Sequence, residues 1–300
     1  MPSFKVWLDA ARPRTLPLSI SGIIVGAALA LKSDAFEWSI FLLALLATLG
    51  FQILSNYAND YGDGIKGTDN IDRVGPARAM QSGLLTAAHL KKAIIITSII
   101  TMIIVVILIY VAFGKDHFLL SLLFLILGLA SIISAIKYTV GKTAYGYRGM
   151  GDLFVFIFFG LIGVAGCYFL FNQELSFAQI LPAITVGGLS AMVLHLNNMR
   201  DREADQKVGK NTMAVILGKK MAVRYHTILY ILSLSSWGIY LFTSLHTPLE
   251  YMSLIAFIPM TLHLVKVYKT DSHPELDPEL KKVALSTFLL ALLFFIACYI

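Results

Sequence analysis

Charge is scarce in this chain. Of its 300 residues only 14 % are Asp, Glu, Lys or Arg, while 57 % are hydrophobic, and the mean hydropathy is +0.76. A soluble domain typically carries about 25 % charged residues, so the polar surface that would cover a water-soluble fold is missing. Disorder is excluded by the same composition. Cysteine is nearly absent as well: Cys167 and Cys298 both fall inside apolar stretches, and two isolated thiols make neither a disulfide framework nor a zinc site. The short alternating segments of a membrane β-barrel are also lacking.

What is present is a series of nine long apolar stretches, at 16–31, 38–57, 93–113, 117–136, 153–171, 177–197, 225–245, 249–268 and 283–300. Each approaches the roughly 17–25 residues that a spanning helix needs. The expectation is an all-α, polytopic membrane protein with nine transmembrane helices, forming a single membrane-embedded domain over residues 1–300. The first stretch contains Ala28-Leu29-Ala30, which looks like a leader cleavage site. Removing it would leave an even span count at odds with the charge distribution below, so it reads as retained. Residues 4–11, with Phe4, Val6, Trp7 and Leu8 beside Lys5 and Asp9, read as an interfacial helix ahead of Arg12-Pro13.

The net charge of +6 could suggest nucleic acid, but its placement says otherwise. Of the 24 basic residues, 22 lie in the N-terminal segment and the loops after spans 2, 4, 6 and 8; only Lys32 and Lys115 fall on the opposite side. Lys and Arg accumulate on the cytoplasmic side. The positive surplus is therefore a topology signal, with no nucleic-acid partner implied. It places the N-terminus in the cytoplasm and the C-terminus outside, in the cell inner membrane.

The cytoplasmic loops 58–92, 137–152 and 198–224 are the long polar segments, and such loops usually carry function. Two of them open on similar phrases. The first is Asn56-Tyr57-Ala58-Asn59-Asp60-Tyr61-Gly62-Asp63 and the second Asn197-Asn198-Met199-Arg200-Asp201-Arg202-Glu203-Ala204-Asp205. Helical spacing puts Asn56, Asp60 and Asp63 on one stripe and Asn197, Asp201 and Asp205 on another. Spans 2 and 6 run in the same direction, so the phrases form a weak internal repeat. Like charges on one face repel, and an ionised carboxylate near lipid is costly. A cation offsets both. Oxygen ligands without His or Cys select a hard ion, Mg²⁺ rather than zinc, and two facing stripes suggest a diphosphate clamped between two metals. Arg73, Arg78, Lys142, Arg148 and Lys210 lie in the same loops and suit phosphate oxygens. Tyr138, Tyr145 and Tyr147 offer ring faces to a nearby cation.

These motifs resemble the UbiA superfamily of intramembrane aromatic prenyltransferases. The resemblance rests on Asn59-Asp60-x-x-Asp63, Asp201-x-x-x-Asp205 and Tyr138-x-x-x-Lys142, and covers roughly residues 11–218. Finer wording resembles the branch that prenylates 1,4-dihydroxy-2-naphthoate on the way to menaquinone: Arg12-Pro13-Arg14-Thr15-Leu16-Pro17, Lys66-Gly67-Thr68-Asp69, Gly75-Pro76 with Arg78 and Gln81, Tyr145-Gly146-Tyr147-Arg148-Gly149, and Gly209-Lys210-Asn211-Thr212.

The resemblance implies a UbiA-type bundle in which two Mg²⁺ ions, on Asp60/Asp63 and Asp201/Asp205, grip a polyprenyl diphosphate. It also implies basic residues sharing the diphosphate charge, Tyr138 sheltering the allylic cation, a naphthoate acceptor, and loss of CO₂. Asn56, Asn59 and Asn197 join the substrate-binding set. Much of the superfamily spaces its first motif Asn-x-x-x-Asp-x-x-x-Asp, so either Asn56 or Asn59 fills the amide position here, with Asn56 preferred because it shares the stripe of Asp60 and Asp63. Other readings are a different aromatic acceptor such as 4-hydroxybenzoate, a CDP-alcohol phosphotransferase, or a cation-coupled secondary transporter. The transporter predicts ionisable residues at the bilayer midplane, whereas every Asp and Glu here falls at or beyond a span end.

Overall fold

The computed structural model describes residues 2–68, 75, 77–270 and 273–300. Among these residues the chain is helical, without strands, and nine helices are long and apolar enough to cross a membrane. It is a multi-pass membrane protein.

Helix α1 (Phe4–Ala11) is the short amphipathic helix expected before Arg12-Pro13. Arg12 ends it in the left-handed region, at φ 53°, and Pro13 cannot donate to continue the ladder. The break lets α1 turn away from α2 (Leu16–Lys32). Helix α3 (Trp38–Lys66) outlasts its apolar stretch by nine residues and carries the first polar phrase on continuous helix. Helices α4 (Ala87–Phe113) and α5 (Phe118–Lys137) follow. The start of α4 is fixed by a reciprocal cap: His89 N–H donates to Thr86 Oγ1 at 3.2 Å and Thr86 N–H to His89 Nδ1 at 3.4 Å.

Helix α6 (Gly151–Asn172) is α-helical at both ends, with a π-helical middle at Phe156–Gly166. Helix α7 (Phe177–Arg200) is among the most buried, its inward face filled by Leu181, Val186, Leu189, Met192 and Leu196. It packs on α6, on α9 (Met213–Ser244) and on α11 (Asp277–Tyr299). The short α8 (Arg202–Lys207) lies between α7 and α9. Helix α10 (Pro248–Lys269) is a 3₁₀ helix over Pro248–Ala256 and α-helical over Phe257–Lys269.

Helices α2 and α7 therefore form the interior. Helices α4 and α5 expose long rows of Ile, Leu and Val, including Ile99, Ile103, Leu122 and Ile126, as lipid-facing helices do. At one end of the bundle the chain places its polar loops. At the other, Lys32 donates to Glu250 Oε2 at 2.7 Å and to the Ser244 carbonyl at 2.6 Å.

Candidate functional site

The first stripe sits on the last turns of α3. Asp60 and Asp63 are 1 % and 3 % exposed. Gly67, at φ 68°, closes the helix, and Thr68 N–H reaches back to the Asp63 carbonyl at 3.1 Å. Gly62 lets the 138–150 loop lie directly on this turn, because a Cβ there would stand 2.5 Å from Thr139 Oγ1. Thr139 Oγ1 donates to the Ala58 carbonyl at 3.0 Å and to Asn59 Oδ1 at 3.3 Å.

The two asparagines have different surroundings. Asn56 Nδ2 donates to the Ala11 carbonyl at 2.8 Å and to Thr15 Oγ1 at 3.2 Å. It ties α3 to the break between α1 and α2. Asn59 faces the loop that carries Tyr138.

Asp63 is heavily engaged. Its Oδ1 accepts from the Tyr147 hydroxyl at 2.6 Å, and its Oδ2 accepts from Arg78 Nη1. Arg78 Nη1 also donates to the Asn59 carbonyl at 2.9 Å. Asp60 Oδ1 accepts a longer bond, 3.4 Å, from Met80 N–H.

The second phrase departs from one expectation. Asn197, Asp201 and Asp205 do not share one uninterrupted helix. Helix α7 ends at Arg200, and Asp201 has φ −91° and ψ 4° before α8 begins. The i,i+4 bond persists across this junction, from Asp205 N–H to the Asp201 carbonyl at 2.8 Å, so both carboxylates stay in one region while the axis changes. Arg200, which the sequence reading left without a role, clamps Asp201: Nε donates to Oδ1 at 2.9 Å and Nη2 to Oδ2 at 2.7 Å. Nη2 also donates to Asn197 Oδ1 at 2.9 Å.

Tyr147 and Lys210 join the stripes. Lys210 Nζ pairs with Asp205 Oδ1 at 3.3 Å and lies 5.7 Å from the centre of the Tyr147 ring. Lys66 Nζ covers the same ring at 3.7 Å. The Tyr147 carbonyl accepts from Asn211 N–H at 3.2 Å. Asp63, Tyr147, Lys210 and Asp205 thus form a continuous polar line from one stripe to the other.

Tyr138 stands beside them, edge-on to Tyr145 at 5.4 Å. Burial, together with the carboxylates of Asp152, Asp63 and Asp205, pushes its hydroxyl well above the ordinary phenol range, so it stays neutral. Burial and Asp63 raise Tyr147 likewise. Tyr145 donates its hydroxyl to the Ser134 carbonyl at 3.0 Å and stacks on Phe154 at 4.0 Å, which anchors the loop to α5 and α6. Lys142 and Arg148 are exposed, and among the described residues neither pairs with the four aspartates. Arg73 lies outside the described residues. Asp152, in the first turn of α6, pairs with the fully buried His195 of α7 at 3.2 Å.

A divalent cation fits this donor set. Asp205 Oδ2 is buried with no hydrogen-bond partner, and burial raises the Asp205 carboxyl to about 6 despite Lys210. That oxygen lacks a positive partner. Asp63 and Asp201 retain further lone pairs, since a carboxylate offers about four acceptor sites. Among the described residues no three His, Cys, Asp or Glu side chains converge on one point. A cation here is therefore a one- or two-carboxylate ion completed by water or phosphate oxygens, which is how Mg²⁺ usually binds.

Known proteins resemble this chain in sequence and in fold. The chain is 41 % identical to the 1,4-dihydroxy-2-naphthoate octaprenyltransferase of Escherichia coli (strain K12), covering 99 % of this chain and 96 % of that protein. The enzyme of the same name from Haemophilus influenzae is 38 % identical, covering 97 % and 94 %. A UbiA homologue from Archaeoglobus fulgidus, solved bound to DMAPP and Mg²⁺, superposes with a TM-score of 0.72 at 13 % identity, covering 98 % and 99 %. A model of the UbiA prenyltransferase family matches residues 19–281, and the chain belongs to that family.

Proposed function

We propose that this prenyltransferase moves a polyprenyl group from a polyprenyl diphosphate onto 1,4-dihydroxy-2-naphthoate, releasing diphosphate and CO₂ and yielding a demethylmenaquinol. The observation that carries the reading is the polar line Asp63–Tyr147–Lys210–Asp205, which joins two acidic phrases at one end of a lipid-embedded bundle. Near-full-length similarity to two bacterial naphthoate octaprenyltransferases supports the acceptor.

The chain works as one membrane-embedded unit over 1–300, with loops 58–92, 137–152 and 198–224 at its cytoplasmic face. The N-terminus is cytoplasmic and the C-terminus outside, as the basic-residue distribution implies. Asp60, Asp63, Asp201 and Asp205 hold Mg²⁺, which when bound supplies positive charge for the leaving diphosphate. Arg78, Lys210 and Lys66 add cations already oriented at the site, and Arg73, Lys142 and Arg148 complete the basic set around the diphosphate. The allylic C1–O bond breaks as charge passes to the diphosphate. The neutral Tyr138 ring, with Tyr145 and Tyr147, faces the carbocation-like C1. The naphthoate ring forms the new C–C bond, and the electrons of its carboxyl bond return to the ring as CO₂ departs. Such catalysis is placement of charge and reactants rather than covalent chemistry by the protein.

The test is purified protein incubated with Mg²⁺, a polyprenyl diphosphate and a panel of aromatic acids. Release of CO₂ and a prenylated naphthoquinol from dihydroxynaphthoate alone is the expected result. Conversion of 4-hydroxybenzoate alone would overturn the acceptor assignment.

A further inference from the structure

The last helix carries no motif, yet its first turn reaches into the site. Asp277 opens α11 and lies 77 residues beyond Arg200 in the chain, and its Oδ1 accepts from Arg200 Nη1. Arg200 is 4 % exposed. Its guanidinium uses Nε and Nη2 on the two oxygens of Asp201, Nη2 again on Asn197 Oδ1, and Nη1 on Asp277. Four of the five N–H donors of the planar fork are thereby assigned to three different groups.

This arrangement answers a problem raised by the backbone. Asp201 sits where α7 has ended, at φ −91° and ψ 4°, so helical packing does not set its side chain. A bidentate guanidinium fixes the carboxylate plane and leaves further lone pairs on both oxygens. The guanidinium is in turn held from its far side by Asp277, whose side chain is 47 % exposed. Asn197 holds it from the preceding helical turn.

We infer that Asp277 and Arg200 are positioning residues that orient the Asp201 carboxylate for a divalent cation, making the first turn of α11 part of the site. The inference rests on the proposed role of Asp201 as a metal ligand. A positioned partner behind a ligand typically changes metal affinity by roughly 10–100-fold. Asp277 acts through Arg200, and its effect belongs at the low end of that range.

Mn²⁺ binding, titrated by electron paramagnetic resonance on the full chain in lipid nanodiscs without substrate, separates the possibilities. D277N is expected to weaken Mn²⁺ binding by roughly ten-fold and to reach the wild-type stoichiometry at saturating Mn²⁺, which shows that the variant is folded. D277E is expected to recover part of the loss. E275Q removes one nearby negative charge from an exposed pair with Lys266 and is expected to bind Mn²⁺ like wild type. D201N tests the underlying metal reading. If D201N loses Mn²⁺ while D277N binds as wild type does, the relay is wrong and the metal reading stands. If D201N itself binds normally, both fall. Equal weakening by E275Q and D277N would reduce the effect to general electrostatics and overturn the relay.

Discussion

The Tyr147 hydroxyl donates to Asp63 Oδ1 at 2.6 Å, and this bond ties the loop after α5 to the last turn of α3. The same hydroxyl is 2.8 Å from Thr68 Oγ1, in the segment that closes α3. A hydrogen bond to a charged group contributes about 1.5–3 kcal/mol. Y147F is therefore expected to lower kcat/KM for the polyprenyl diphosphate by roughly ten-fold or more, with the protein still folded. T68A, which leaves the Asp63 bond in place, is expected to change it far less. Unchanged kinetics in Y147F would remove this tyrosine from the line between the stripes.

The unpartnered Asp205 oxygen gives a pH-dependent signature. Burial raises this carboxyl to about 6, above its ordinary 3.8, so the folded metal-free protein binds the proton more tightly than the unfolded chain. The stabilisation from that proton is complete below about pH 3.8 and is lost as pH rises through about 6. A bound cation replaces the proton and relieves the buried charge. Mg²⁺ is thus expected to raise the melting temperature more at pH 8 than at pH 5, and D205N is expected to flatten the difference. An equal Mg²⁺ shift at both pH values would show that Asp205 does not bind the ion.

Much of this was legible in the sequence, and the reason is physical. Nine uncharged stretches have one solution in lipid, and basic residues crowd one side of it. Asp60, Asp63, Asp201 and Asp205 stood out because clustered acid beside lipid is costly. What could not be read is who answers each charge. Arg200 lies inside the quoted phrase, yet its partner Asp277 is 77 residues away, in a helix without a motif. The end of α7 at Arg200 was also hidden, because a stripe at i, i+4 and i+8 looks the same whether or not the axis bends at Asp201.

Asn56 and Asn59 illustrate the same limit, and they separate cleanly in an experiment. Both lie at helical spacing from an aspartate, but Asn56 spends its amide donors on Ala11 and Thr15. N56A leaves the buried Ala11 carbonyl without its donor, a loss of about 1–3 kcal/mol, and is expected to lower the melting temperature. N59A is expected to leave stability nearly unchanged and to reduce turnover, since Asn59 faces the Tyr138 loop through Thr139. The reverse pattern would exchange their roles.

At the opposite end of the bundle, Lys32 and Glu250 form a buried pair whose side chains are 9 % and 1 % exposed. Lys32 Nζ also lies 5.1 Å from the Tyr240 ring, and Glu250 Oε1 accepts from the N–H groups of His246 and Thr247 at 3.0 and 3.2 Å. The pair joins α2 to the start of α10. Breaking a buried pair from one side leaves an uncompensated charge and typically costs about 3–5 kcal/mol. K32M is expected to lower the melting temperature sharply, and K32M/E250Q to recover much of the loss because no charge is stranded. The exposed pair Lys266–Glu275 provides the contrast: K266M is expected to cost less than about 1 kcal/mol. Prenyl transfer measured well below the melting temperature is expected to survive in K32M and K32M/E250Q, since the four aspartates lie at the other end of the bundle. If K32M melts like wild type, water reaches Glu250 and the pair does not hold these helices together.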